Sequence, residues 1–442
     1  DIPLDIQGFT IPEWDKLESF IKPTENLKNN NKILDDLYKS ITNSERPLLL
    51  VGHGVRLAGA HNEIKKLIEK FKLPSVFTWN ACDMLDYRNK YYVGKPGNVA
   101  TRAANFAIQT CTDFLSLGAR LDNITTAYDI KSFARNASQK WVLDIDENQL
   151  KICDLKDARK IAVDLKYAIK YLNTKRDLKE KSEWINHCIW LKEKYSTCDG
   201  KIPLDRFKIT HFEAAKIISD AIPENSTIIT GSSGLAIEAF YVAYEPKKLQ
   251  RILLTSGLGA MGYGLPAFVG AIEGLSDDNK KFLIESDGSL MLNLQELQTL
   301  KTRNKKNLKI IILNNEGYCS IRATQKNYFG GNYVASNKES GIEIPNLSKI
   351  SKSFGIKYYL LDNSNKNNFK EIINDDETAL IEIKLVEEEA LWPKVSVITK
   401  KDGSMVSMPL EDMSPLLSEK ELNIALGFNN PLSKESIKAR KN

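Results

Sequence analysis

Strand-length apolar runs alternate with longer stretches of helical periodicity along most of this chain, and that alternation restricts the fold to parallel sheets flanked by helices. Pro47 to Val51 (PLLLV) is a buried-strand run that ends at Gly52, and residues 63–71 (EIKKLIEKF) carry apolar side chains at helical spacing. Strands are predicted at 75–78, 113–117 and 141–145. After a charge-dense helical stretch at 177–195, Asp199-Gly200 and Pro203 mark a break, and the alternation then resumes. Helices at 211–221, 235–242, 266–273 and 293–302 interleave with strands at 227–230, 251–254, 281–285 and 308–313, and 379–383 adds a last strand. The expected fold class is α/β, with two doubly wound parallel-sheet domains and a C-terminal tail. The expected divisions are a leading segment at 1–32, a central α/β domain at 33–175, a linker at 176–205, a second domain at 206–388 and a tail at 389–442. The Asn/Lys-rich patches at 26–32 and 363–368 read as loops, and fading periodicity after 389 predicts an extended tail lying over a domain or a neighbour.

Composition narrows the chemistry. The 442 residues are 42% hydrophobic and 27% charged, which argues against disorder, and no apolar run approaches the ~18 residues of a membrane span. The net charge is +5, and the last twelve residues contribute +3 of it. The nearly neutral body has no basic stripe interleaved with aromatics, so nucleic acid is excluded as the expected partner. Six cysteines contain no Cys-x-x-Cys, which fits reduced thiols in a cytoplasmic protein. The four histidines show neither zinc spacing nor a hydrolase pattern, so a cofactor is expected to carry the reaction.

Two glycine-rich segments compete for that cofactor. Gly257-Leu258-Gly259-Ala260-Met261-Gly262 is a literal G-x-G-x-x-G after a strand and before a helix, the dinucleotide context, and Glu285 ends the next strand where an acid could meet a ribose hydroxyl. Plain close packing explains the same glycines. The second segment is Ser286-Asp287-Gly288-Ser289, followed 25 residues later by Asn314-Asn315-Glu316-Gly317-Tyr318, each at the carboxyl end of a predicted parallel strand. A carboxylate, an amide oxygen and a main-chain carbonyl are hard ligands suited to magnesium, and a helix starting at Ser289 offers N–H groups to phosphates.

The S-D-G, 25 residues, N-N pattern resembles the G-D-G and N-N motif of the thiamine diphosphate enzymes, with Ser286 in place of the first glycine. Thr255 to Ala271 (TSGLGAMGYGLPAFVGA) is similar to the S-G-x-G-x-M-G-x-G-L-P-A stretch of their acetolactate synthase-like branch, which accounts for the glycines without NAD. Residues 52–60 and 94–120 resemble the central domain of these enzymes, and Pro409-Leu410-Glu411-Asp412-Met413 resembles their tails.

The resemblance implies thiamine diphosphate and Mg2+ as cofactors and 2-oxoacid (pyruvate) decarboxylation or carboligation as the reaction. It places Asp287, Asn315 and the carbonyl of Gly317 on the metal, and Gly231, Ser232, Ser233, Gly288 and Ser289 on the diphosphate. Met261 would bend the cofactor, the carbonyl of Gly259 would hold its amino group, and Tyr318 belongs to the cofactor-binding set. The family's activating glutamate lies in an N-terminal pyrimidine-binding domain; Asp1 to Gln7 looks like the exit strand of that domain, and no glutamate here takes the role. A separate pyrimidine domain and a homodimer or tetramer are therefore expected partners, and this chain alone is expected to be inactive. FAD in the central domain is a further alternative that some relatives suggest. An NAD oxidoreductase and a cofactor-free scaffold remain the rival readings.

Overall fold

A computed structural model of the chain describes residues 4–10, 31–195, 205, 207–232, 234–255, 257–275, 279–395, 397–399 and 405–440. Two six-stranded sheets, parallel throughout, dominate it. The first contains β1 (Pro47–Val51), β2 (Ser75–Phe77), β3 (Tyr92–Gly94), β4 (Asp113–Leu117), β5 (Gln139–Asp144) and β6 (Ala158–Ala162), in the order β3-β2-β1-β4-β5-β6. The second contains β7 (Ser226–Thr230), β8 (Arg251–Leu253), β9 (Lys280–Ser286), β10 (Leu308–Asn314), β11 (Lys357–Leu361) and β12 (Ala379–Lys384), in the order β11-β12-β10-β9-β7-β8. Both sheets are doubly wound as expected: the first reverses direction between β1 and β4 and the second between β7 and β9, and in the second β12 also turns back to lie between β10 and β11. Such reversals open a crevice at the carboxyl ends of the strands, the usual ligand position in open α/β sheets.

Central strands are apolar because they are covered on both faces: β1, β4 and β10 are buried along their whole length. One contiguous core joins the two sheets, from Leu49 and Val51 to Ile228, Phe282 and Ile311. At the seam Trp79 stacks on Tyr241 at 5.2 Å, and Asp83 accepts from Arg56 and Arg251 at 2.5 and 3.2 Å and from the backbone of Ile252 at 2.8 Å. Among the described residues no helix is long and apolar enough to cross a membrane.

The structure departs from the sequence reading at several elements. Leu4–Gln7 is one helical turn, not an exit strand, with Phe9 donating to Ile6 at 3.1 Å; no neighbouring strand pairs with it among the described residues, so its backbone bonds locally. Asn31–Asn43 is a helix that buries Leu34, Leu37 and Ile41. The helix expected from 293 begins at Glu296, after a single turn at Asp287–Leu290 and a tighter one at Met291–Asn293. The tail is structured: Glu419–Leu426 and Lys434–Ala439 are helices, and Met408, Leu410, Met413, Leu422 and Leu426 enter the core on one face of the first sheet. Arg102 donates to the carbonyl of Met413 at 3.0 Å, Arg135 pairs with buried Glu411, and Arg440 pairs with Asp412 at 2.7 Å.

Candidate functional site

The site gathers at the carboxyl ends of β7, β9 and β10. β7 runs into Gly231-Ser232, and β9 into Ser286-Asp287-Gly288-Ser289. A Cβ on Gly231 would lie 2.1 Å from Oε1 of Glu285, so only glycine lets the β7 loop close over this carboxylate. Glu285 is fully buried, accepting from the N–H of Ser286 at 2.9 Å and from that of Gly264, in the first turn of the Gly264–Gly274 helix, at 3.1 Å. Burial pushes its carboxyl up to about 7, against the lowering effect of those donors. The acid that a dinucleotide reading would set on a ribose is instead a packed internal anchor.

Asp287 is equally buried. Oδ1 accepts from the N–H of Gly288 and Oδ2 from that of Gly317, each at 2.8 Å, so the β9 and β10 loops are tied through one carboxylate. No ammonium or guanidinium lies within salt-bridge distance of it among the described residues. Burial pushes its carboxyl up to about 7. Asn315, also buried, directs Nδ2 to Nε2 of His211 at 3.2 Å, and its Oδ1 is buried without a partner among the described residues. The peptide of Gly317 has a φ of +108°, a turn open to glycine. Its carbonyl meets the N–H of Cys319 at 3.2 Å. The sequence motif thus brings Asp287 and Gly317 into contact and leaves Asn315 with an unused hard oxygen.

The remaining residues divide by what they already bind. The N–H of Gly231 donates to the carbonyl of Ile284 at 2.7 Å, and the hydroxyl of Ser232 donates to the carbonyl of Ala260. Ser289 Oγ accepts from the N–H of Gly262 at 2.8 Å. These contacts lock the β7, β8 and β9 loops together, so the glycines act here through space. A Cβ on Gly288 would lie 2.6 Å from the Tyr318 ring and 3.6 Å from Cε of Met261, which sets Tyr318 and Met261 around one small cradle. Met261 is 37% exposed and is therefore not core filler, and Gly259 turns with a φ of +62°. Ser233 lies outside the described residues.

Sequence reasoning missed three residues that hold this site. Arg322 is buried and donates to the carbonyls of Asn315, Glu316, Ser336 and Glu387 at 2.7 to 3.0 Å. His211 and Glu389 sit behind Asn315. None belongs to a local motif, so only the fold brings them together.

The donor set fits a divalent cation: a buried carboxylate with no cation within salt-bridge distance, a buried amide oxygen without a partner among the described residues, and a turn carbonyl are hard oxygens. Comparison with known proteins identifies the family of both domains. Residues 34–172 match the family described as thiamine pyrophosphate enzyme, central domain, and residues 230–383 match its C-terminal TPP binding domain. The chain is 28% identical over 411 residues to a probable acetolactate synthase large subunit of Methanococcus aeolicus, covering 88% of this chain and 66% of that protein. It is 27% identical over 407 residues to the acetolactate synthase isozyme 2 large subunit of Escherichia coli, covering 89% of this chain and 69% of the relative. The match to a Porphyra purpurea acetolactate synthase large subunit, 26% identical, spans 85% of this chain and 62% of that relative. With the whole first sheet inside one match and the cation-fitting loops inside the other, the chain belongs to the thiamine pyrophosphate enzymes.

Proposed function

We propose that this chain supplies the diphosphate- and magnesium-binding half of an acetolactate synthase-like site that decarboxylates a 2-oxoacid such as pyruvate and joins the fragment to an acceptor. The observation that carries it is the buried, unpartnered Oδ1 of Asn315 on the loop whose Gly317 is bonded to the uncompensated carboxylate of Asp287. Thiamine diphosphate, when bound, supplies a carbon nucleophile and an electron sink for decarboxylation. Asp287, Asn315 Oδ1 and the Gly317 carbonyl would hold Mg2+ in this reading, and the metal would supply charge neutralisation for the diphosphate. Glycines 231 and 288 would admit the phosphates by lacking side chains, Ser232 and Ser289 would line their approach, and Ser233 is a further proposed diphosphate contact. Met261 and Tyr318 wall the cradle beside Gly288 and would keep water from the bound cofactor, and the Gly259 carbonyl would be its hydrogen-bond acceptor.

The proton-relaying glutamate comes, in this proposal, from a pyrimidine-binding domain outside these residues, on the same or a second chain of a homo-oligomer. Isothermal calorimetry tests the reading. Thiamine diphosphate should bind only with Mg2+ present, and absent binding, or NADH binding in its place, overturns it. Flavin in the central domain is a separate proposal that an absorbance band near ~450 nm in the purified protein would support.

A further inference from the structure

We propose that Glu389 and His211 form a positioning pair that orients the Asn315 amide, so that its oxygen and not its nitrogen is presented to the metal; this rests on the magnesium site proposed above. His211 begins the Thr210-capped helix His211–Ala221, and its ring is buried. Glu389 reaches it from the chain that leaves β12. Oε2 of Glu389 accepts from the His211 backbone N–H at 2.5 Å and contacts Nδ1 at 2.6 Å. A carboxylate only accepts, so Nδ1 donates in that contact, and the tautomer with its one proton there leaves Nε2 as an acceptor. Asn315 answers with Nδ2 at 3.2 Å from Nε2.

An amide that directs its NH2 to the imidazole turns its oxygen away, and that oxygen is the buried atom without a partner. The opposite orientation would offer a cation two N–H donors. The pair therefore selects the amide face that suits a hard cation, as outer hydrogen-bond partners orient direct metal ligands elsewhere. Glu389 and Asn315 are brought to His211 from 178 and 104 residues away, and both contacts are made on buried surfaces.

Mg2+ affinity, measured by calorimetry on the full chain at saturating thiamine diphosphate, tests the pair in wild type, His211→Phe, His211→Gln and Glu389→Ala. Thermal unfolding of each variant serves as the folding control. His211→Phe should weaken Mg2+ binding at least about tenfold, the usual scale for losing an outer-shell partner. His211→Gln can donate to Glu389 and accept from Asn315, so it should stay within about threefold of wild type, with Glu389→Ala weaker than His211→Gln. Nitrogen-15 spectra of the histidine-labelled wild type should place the His211 proton on Nδ1. A His211→Phe chain that folds and keeps wild-type affinity overturns the pair, as does a His211→Gln loss as large as that of His211→Phe, or a proton on Nε2. If His211→Phe does not fold, equal affinities of His211→Gln and Glu389→Ala overturn it. A wild-type chain that binds neither Mg2+ nor the cofactor overturns the magnesium site along with the pair, which separates the two failures.

Discussion

Asp83 and Asp287 both have fully buried carboxylates beyond the carboxyl end of a parallel strand, β2 in one sheet and β9 in the other, yet their surroundings are opposite. Asp83 meets two guanidinium groups and a backbone N–H, so its charge is compensated inside the fold. Asp287 meets two backbone N–H groups and no cation within salt-bridge distance among the described residues. The crevices differ in the same sense. Between β1 and β4 the backbone closes on itself: Gly54 donates to the carbonyl of Gly118 at 2.9 Å, and a Cβ on Gly52 would lie 2.1 Å from that oxygen. Around β7, β9 and β10 the glycines surround a buried, unbalanced charge and an unused amide oxygen. Shared topology therefore creates two similar edges, and local electrostatic balance decides which one has chemistry left over.

Substitutions at the two aspartates should break or sharpen this contrast most. Asp83→Ala strips the shared partner from Arg56 and Arg251 at the seam and should cost about 3 kcal/mol in urea unfolding, the scale for breaking a buried ion pair whose partners are partly exposed. A loss below about 1 kcal/mol would mean that Asp83 is not the internal staple described. Asp287→Ala should do the reverse, holding or raising the stability of the ligand-free chain because a desolvated charge is removed, while thiamine diphosphate affinity with Mg2+ falls more than about a hundredfold. Equal destabilisation by both changes would erase the distinction.

Smaller effects probe the closed edge. Gly52→Ala sets a methyl against backbone that cannot move aside and should cost about 1–3 kcal/mol, whereas Gly257→Ala, with no described atom within 4 Å of its Cβ, should be close to neutral. Lys95, buried just after β3 and bonded to the Tyr244 carbonyl at 2.5 Å, has its ammonium pushed down to about 8 by burial. The unfolded lysine holds its proton more tightly than the folded one, so stability should rise between pH 8 and the ordinary lysine value, by at most about 1.4 kcal/mol per pH unit. Lys95→Met should remove that rise, and an unchanged profile would show that the buried ammonium is balanced by other groups.

Much of this contrast is legible in the residues alone, and the exceptions have physical causes. β1, β4, β9 and β10 announce themselves because strands covered on two faces carry apolar runs with polar residues mostly near their ends. β3 is a short edge strand ending at Gly94, and β6 and β11 expose alternate or polar positions at sheet edges, so their signal is diluted. Asp287, Asn315 and Gly317 stand out because a close approach of backbone to ligand needs particular residues at a particular spacing. Glu285 was legible as a strand-end acid and misleading as to role, because burial, not sequence, separates an internal anchor from a ribose contact. Arg322, His211 and Glu389 act on the same loops from distant positions, and a hydrogen bond across 178 residues leaves no periodicity to read.

The structured tail has a consequence for how the chain is made. Met413 and Leu426 complete a core face of the first sheet, and Arg102 waits for a carbonyl 311 residues downstream. At about 5–20 residues per second, the first sheet is synthesised on the order of 15–60 s before its covering segment leaves the ribosome. During that interval its apolar face is open to chaperones, and the second sheet, which draws no core from that covering segment, is completed when β12 ends at Lys384. Released chains ending at residue 395 should show the second sheet protected from protease and the first still cleavable, because only the first has lost part of its core.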